Sequence, residues 1–257
     1  MTIRGLDSNH TPFKYLDDYI ASPDWDLLHN DVSLGIAKAE WSKRFVSSGV
    51  HADWSEQEIT TVVMDAENRL TSLQLETYNT LTTTDERIKY LNALTDHPHP
   101  FWLIFLRNNK RTEYTGVFNK SVACDCEWTD NAKYFPTLIE FINTMPFESI
   151  GRVLLFMTES NNSTVPHYDV LTEQQRIEKP HDDFIWFTTK HESKAVYVMD
   201  GETHERVYPD PTKKFVWFNE MDFHGTEAVK HFSFSIRIDG KFTPAVRRLL
   251  LDATGPR

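Results

Sequence analysis

Two hydrophobic rhythms divide the chain. In the first, apolar residues recur at steps of three and four. Ile59, Val63, Ala66, Leu70 and Leu73 form one stripe behind Ser55-Glu56-Gln57-Glu58, and the spacing predicts a helix running to about Tyr78. Ser55 and Glu58 have the spacing of a capping box, in which a hydroxyl and a carboxylate satisfy the first backbone donors of a helix. A second box, Thr83-Thr84-Asp85-Glu86, precedes Ile88, Leu91 and Leu94, and the helix it opens stops at His97-Pro98 and His99-Pro100. Such stripes are expected to pack on the protein's own core rather than on a second copy.

From Phe101 the rhythm shifts towards strands. Phe101 to Leu106 is a continuous apolar run, and Glu113 to Phe118 reads as a second strand. Pro136 suits the first turn of a helix whose face is Leu138, Phe141, Ile142 and Met145, closed by Pro146. Short strands follow, predicted at Arg152 to Thr158, Val165 to Val170, Phe184 to Thr189, Lys194 to Met199, Arg206 to Tyr208, Phe215 to Phe218, Phe223 to Ala228 and Phe232 to Ile238. Many short strands separated by turn-rich segments are the layout of a β-sandwich or barrel. No linker, repeat or low-complexity stretch divides the chain, so the expectation is a single α+β domain over residues 1–257. Residues 1–100 are expected to be mainly helical support, 101–146 mixed, and 147–245 the β core.

Composition narrows the partners. A chain of 257 residues with seventeen Phe and seven Trp can bury a core without staples, and a folded rather than a disordered chain is expected. The formal charge of −11, with no basic stripe against it, argues against nucleic acid. No apolar stretch approaches the ~20 residues that span a bilayer, and the opening MTIRGLDSNH lacks the apolar core of a secretory signal, so no membrane partner and a cytoplasmic location are expected. Oligomeric state is open. Cys124 and Cys126 are awkwardly spaced for a disulfide and incomplete as a zinc site; His97 and His99 would be needed to complete one, and the pair reads as two reduced thiols.

Chemistry concentrates late in the chain. On a strand, residues two apart share a face, so Val165-Pro166-His167-Tyr168-Asp169-Val170 aims His167 and Asp169 together. Among eleven histidines such a pair also arises by chance as a surface hydrogen bond. His224 follows the aromatic run Trp217-Phe218 and precedes Gly225, which permits close approach. Two imidazoles and one carboxylate on one face leave open coordination positions and suit iron(II). Finally, His231-Phe232-Ser233-Phe234-Ser235-Ile236-Arg237-Ile238-Asp239 alternates strictly. Ser233, Ser235 and Arg237 take one face, as on a half-solvated strand or in an anion pocket built from a planar guanidinium with hydroxyls beside it.

The set His-x-Asp, a later His224 and Arg237 thirteen residues beyond it resembles the iron(II)/2-oxoglutarate-dependent dioxygenases. Phe147-Glu148-Ser149-Ile150-Gly151-Arg152-Val153 and Ile236-Arg237-Ile238-Asp239-Gly240 are similar to the aspartyl/asparaginyl hydroxylase-like branch. The resemblance covers roughly residues 135–245. It implies a double-stranded β-helix (jelly-roll, cupin-like) core, with His167, Asp169 and His224 as catalytic metal ligands for Fe(II). It further implies 2-oxoglutarate as co-substrate, held by Arg237 with Ser235 or Ser233, and O2 as oxidant. The expected products are succinate, carbon dioxide and a hydroxylated small molecule or peptide. The carboxylate at Asp169 favours hydroxylation over halogenation, which needs a small residue there; desaturation and ring closure stay open.

Other polar positions on core strands are Arg152, Trp186, Thr188, Lys194 and Asn219. Each can line the site or be structural, Trp186 and Trp217 as packing and Arg152 or Lys194 as rim charges. One rival is a phosphohydrolase built on His181-Asp182, against which the β-rich Phe184 to Thr189 run argues. The other keeps the barrel as a cupin-like metal-binding protein, isomerase or hydrolase, which has no need of an anion-binding Arg237.

Overall fold

The computed structural model describes residues 12–45, 72–83, 86, 100–109, 126–160, 164–167, 183–190, 196–199, 205–218 and 224–254. Its strands, in chain order, are β1 (Phe13–Tyr15), β2 (Ser42–Phe45), β3 (Pro100–Asn109), β4 (Cys126–Trp128), β5 (Phe147–Thr158), β6 (Thr164–His167), β7 (Asp183–Phe187), β8 (Val196–Met199), β9 (Arg206–Val207), β10 (Val216–Phe218), β11 (His224–Thr226) and β12 (Ser233–Phe242). The helices are α1 (Trp25–Lys38), α2 (Ser72–Thr80), α3 (Pro136–Ile142) and α4 (Pro244–Thr254).

The strands form two antiparallel sheets. The larger runs β1-β10-β7-β12-β5-β3-β2 with β4 beside β3, and the smaller runs β6-β11-β8-β9. Counted from β5, the first, eighth, third and sixth strands are neighbours in one sheet and the second, seventh, fourth and fifth in the other. That order is a jelly roll, the double-stranded β-helix. It follows from the strand pairing alone. β1, β2, β3 and β4 extend the larger sheet on either side of this core.

Every strand expected from Arg152 onward is found, with shifted ends. β5 begins five residues earlier, at Phe147, because Phe242 and Lys241 of β12 pair with Phe147 and Ser149. The expected Val165 to Val170 strand is seen as far as His167, and the rest of it lies outside the described residues. The same holds for Glu113 to Phe118, Cys124, His97, His99, the His181-Asp182 doublet, Lys194 and Asn219, and for the helical stripe before Ser72.

The N-terminal hundred residues hold more than helices. β1 and β2 each join an edge of the larger sheet, Lys14 pairing with Trp217 and Lys43 with Trp102. The second capping box forms: Glu86 N–H donates to Thr83 Oγ1 at 3.2 Å and Thr83 N–H to the Glu86 carboxylate at 3.1 Å. α1 lies in the part expected to be mainly helical, although no helix is assigned to these residues from the sequence; it is capped by Asp24, whose carboxylate accepts from Leu27 N–H at 3.0 Å, and it buries Leu28, Val32, Gly35 and Ile36 along one stripe. Asp31 on its flank accepts from Leu138 N–H at 3.0 Å, supplying the first turn of α3 with the acceptor its own N-cap, Phe135, lacks.

α1 and α3 pack on one face of the larger sheet over Ile104, Leu106, Val153, Leu155, Ile236 and Ile238, all fully buried. On the same face His29 of α1 stacks on Phe234 and pairs through Nδ1 with Thr189 Oγ1 at 2.6 Å. With that face sealed by helices, the opposite face of β5, β12, β7 and β10 is turned towards the smaller sheet. Among the described residues no helix is long and apolar enough to cross a membrane.

Candidate metal and anion site

β12 is an interior strand, paired on one side with β5 and on the other with β7. Every residue from Ser233 to Gly240 is buried, on both faces. The alternation of this segment is therefore not that of a half-solvated strand: Phe234, Ile236 and Ile238 face the helices, while Ser233, Ser235, Arg237 and Asp239 share the inner face.

Arg237 is 4% exposed. Its Nε donates to Asp239 Oδ1 at 2.8 Å, and its Cζ sits 4.0 Å from the centre of the Phe184 ring. The other oxygen of Asp239 accepts from Arg152 Nε at 2.8 Å. Arg152 is thus no loose rim charge, since it reaches along the inner face to a fully buried carboxylate. Asp239 was visible in the sequence only as part of the Arg-x-Asp spacing; that spacing, on a strand, was the available signal for a same-face pair.

The smaller sheet carries the two histidine positions. His224 on β11 is the direct register partner of His167 on β6, and of Val198 on β8. Cross-strand partners stand on one face of a sheet, with their Cβ atoms about 5 Å apart. His224 is buried, and its ring lies 5.1 Å from that of Phe218, on β10 of the larger sheet. Phe218 in turn meets Phe184 edge-on at 5.1 Å. The rings of Phe218 and Phe184 therefore join His224 to Arg237 across the space between the sheets. Neither ring was singled out from the sequence as part of the site.

The two serines differ. Ser233 Oγ bonds Thr158 Oγ1 at 2.9 Å, deep in the sheet. Ser235, 1% exposed and two residues from Arg237 on the same face, has a buried hydroxyl with no hydrogen-bond partner among the described residues. A buried hydroxyl left unsatisfied costs about 1–3 kcal/mol, and a bound acceptor would relieve it. The guanidinium and this hydroxyl therefore fit a carboxylate, and two histidines as register partners are the residue type that suits a borderline metal ion such as iron(II). Asp169 lies outside the described residues. Among the described residues no three His, Cys, Asp or Glu side chains gather at one point.

Of the remaining positions, Trp186 is 9% exposed and is the register partner of Arg237 on β7, so it shares the inner face. Thr188 donates to Lys190 O at 2.9 Å, a local turn contact. Trp217 is buried.

Solved structures that the chain is similar to include a prolyl hydroxylase, a 2OG-Fe(II) oxygenase-family oxidoreductase and a cupin. A prolyl-4-hydroxylase from Pseudomonas putida aligns over 85% of this chain and 99% of its own, at 9% identity and a TM-score of 0.32. An oxidoreductase of the 2OG-Fe(II) oxygenase family from Burkholderia pseudomallei aligns over 74% and 92%, at 9% identity and a TM-score of 0.34. An RmlC-like cupin protein from Desulfovibrio desulfuricans aligns over 34% and 70%, at 12% identity and a TM-score of 0.23. No protein-family model and no curated protein matches the sequence. The strand order, rather than these distant likenesses, carries the fold.

Proposed function

We propose that the protein is an Fe(II)- and 2-oxoglutarate-dependent oxygenase that hydroxylates an unactivated carbon of an amino acid, peptide side chain or small metabolite. The observation that carries this reading is the register pairing of His224 with His167 on the smaller sheet, opposite the buried Arg237 of the larger one. In this reading His167, Asp169 and His224 hold the iron. Arg237 and Ser235 hold the distal carboxylate of 2-oxoglutarate. When bound, metal and oxoacid together supply the oxidising chemistry, consuming O2 and releasing succinate and carbon dioxide.

The protein's own part is placement. Arg237 lies against Phe184 with its Nε edge tied to Asp239, so few orientations are lost when it pairs with an anion. Phe184 and Phe218, both buried, meet in the space between the sheets, and in this reading their rings keep water from the bound groups, which strengthens charge interactions there. Phe218 also braces the His224 ring. The carboxylate at position 169 favours hydroxylation over halogenation. The acidic chain as a whole favours a neutral or cationic substrate. The similarity of Phe147–Val153 and Ile236–Gly240 to the aspartyl/asparaginyl hydroxylase-like branch makes an amino-acid or peptide side chain the first substrate to screen.

The alternative is a cupin-like isomerase, hydrolase or binding protein that uses the same imidazoles. Iron(II) and 2-oxoglutarate added without oxygen separate the two. The oxygenase gives the weak visible charge-transfer band of the metal-oxoacid chelate, and the cupin-like alternative gives none. Succinate release across a panel of amino acids, peptides and metabolites then finds the substrate.

A further inference from the structure

A titratable side chain sits at the contact between α1 and the larger sheet. His29, partly buried on α1, lays its ring on that of Phe234, with centroids 5.8 Å apart and planes 15° from parallel. Its Nδ1 lies 2.6 Å from Thr189 Oγ1, and its Nε2 lies 3.4 Å from Ser33 Oγ one turn along the helix. Phe234 belongs to β12, and Thr189 stands just beyond the end of β7. One imidazole thus ties the helix to two neighbouring strands.

Both ring nitrogens face hydroxyls. A neutral imidazole donates at one nitrogen and accepts at the other, so it complements the pair, giving a proton to one hydroxyl and taking one from the other. A doubly protonated ring only donates. Ser33 is exposed and can turn its proton to water, but Thr189 is 3% exposed and has no such outlet. Burial first, and then the charge of Lys190 beside Thr189, disfavour the cationic ring, while Asp26 in the preceding turn of α1 favours it; the imidazole is held below its ordinary value of 6.5. β12 faces the ring with the uncharged Phe234. A cation is drawn to that face, and at this partly open contact the attraction offsets only part of the cost.

We propose that His29 is a pH-sensitive latch: neutral, it fastens α1 to the ends of β7 and β12, and protonated, it loosens the helix from them. The folded protein holds this proton less tightly than the unfolded chain does. The stabilisation is therefore present above 6.5 and is lost as pH falls through that value towards the lower folded one. The latch is independent of the chemistry at the inner face, so it stands or falls apart from the oxygenase reading.

Hydrogen exchange of the α1 amides in the full-length protein, corrected for the intrinsic pH dependence of exchange, tests it between about pH 8 and pH 5. In the wild type, protection of α1 falls several-fold across this range. His29→Gln, which keeps a donor and an acceptor for Thr189 but does not titrate, loses that fall. Lys190→Gln makes it smaller and Asp26→Asn makes it larger, because the two charges act on the ring with opposite signs. A merely structural contact would change protection equally at every pH.

Constant protection in the wild type overturns the proposal, as does a fall that persists in His29→Gln, or Lys190 and Asp26 variants that shift it in the same direction. The His29 ring signal, followed by NMR in the wild type, decides the matter even if no variant folds: its midpoint lies below that of the unfolded chain, and a midpoint at or above that value sinks the latch.

Discussion

His224 stands directly opposite His167 in the antiparallel register of β11 and β6. Residues fifty-seven positions apart in sequence are thereby fixed as neighbours by backbone hydrogen bonds rather than by a loop. Metal affinity should depend on both members and hardly on the anion site. His167→Ala and His224→Ala are each expected to abolish iron(II) binding, whereas Arg237→Ala retains iron and chiefly raises the 2-oxoglutarate requirement. Titration of each variant with iron(II), followed by 2-oxoglutarate, checks this. Equal loss of iron in all three would contradict the assigned roles.

The unequal state of the two serines separates stability from binding. Ser233→Ala strands the Thr158 hydroxyl and is expected to cost about 1–2 kcal/mol in urea unfolding, with little change in 2-oxoglutarate affinity. Ser235→Ala removes a hydroxyl that has no partner among the described residues, so the fold is expected to be unharmed or slightly stabilised while the 2-oxoglutarate Kd rises several-fold. The opposite pattern would exchange their roles.

Gly240 lies where β12 crosses the end of β5. A Cβ there would stand 2.6 Å from Ser149 O and 2.6 Å from Phe147 Cδ1. The ring can shift, but the backbone carbonyl belongs to the sheet. Gly240→Ala is expected to lower stability by about 1–3 kcal/mol, read from the denaturant midpoint.

Asp183 begins β7 on the helical side of the sheet and ties the chain's last described helix to it, accepting from Phe242 N–H at 2.9 Å and pairing with Arg247 at 3.2 Å. Burial holds its carboxyl above the ordinary carboxylate value, against the opposing pull of the Phe242 N–H and Arg247. The folded protein therefore binds this proton more tightly than the unfolded chain does. The group's stabilisation is fully present below the unfolded value of 3.8 and is lost as pH rises through the raised folded value. In Asp183→Asn, which keeps an acceptor for Phe242, that contribution is gone. The wild type should gain stability relative to the variant as pH falls across this window. Thermal melts of both between neutral pH and pH 4 measure it, and a constant gap would contradict the assignment.

The legible parts of the sequence were those whose cause is local. The eight strands after Arg152 are flagged by apolar blocks and turn residues. The Thr83–Glu86 box forms because its donors and acceptors are three residues apart. The Pro136 helix follows from the ring's fixed φ and the apolar stripe behind it. β1 and β2 were missed because three or four residues carry too little pattern; they are strands because a sheet edge offers them partners. α1 was there to be read, in Asp24 and the spacing of Leu28, Val32 and Ile36.

For the site, the sequence by itself determined which side chains can share a face: Arg237 with Ser235, Ser233 and Asp239, all at even spacing on one strand. It could not say whether that face meets solvent or another sheet, since alternation reports a face and not its neighbour. Tertiary structure decided that both faces of β12 are buried, that Ser233 bonds Thr158 while Ser235 has no partner among the described residues, that Arg152 shares Asp239, and that His224 and His167 are register partners. Each of those outcomes is a register between strands far apart in the chain, set by the packing of whole sheets, and no short stretch of residues encodes it.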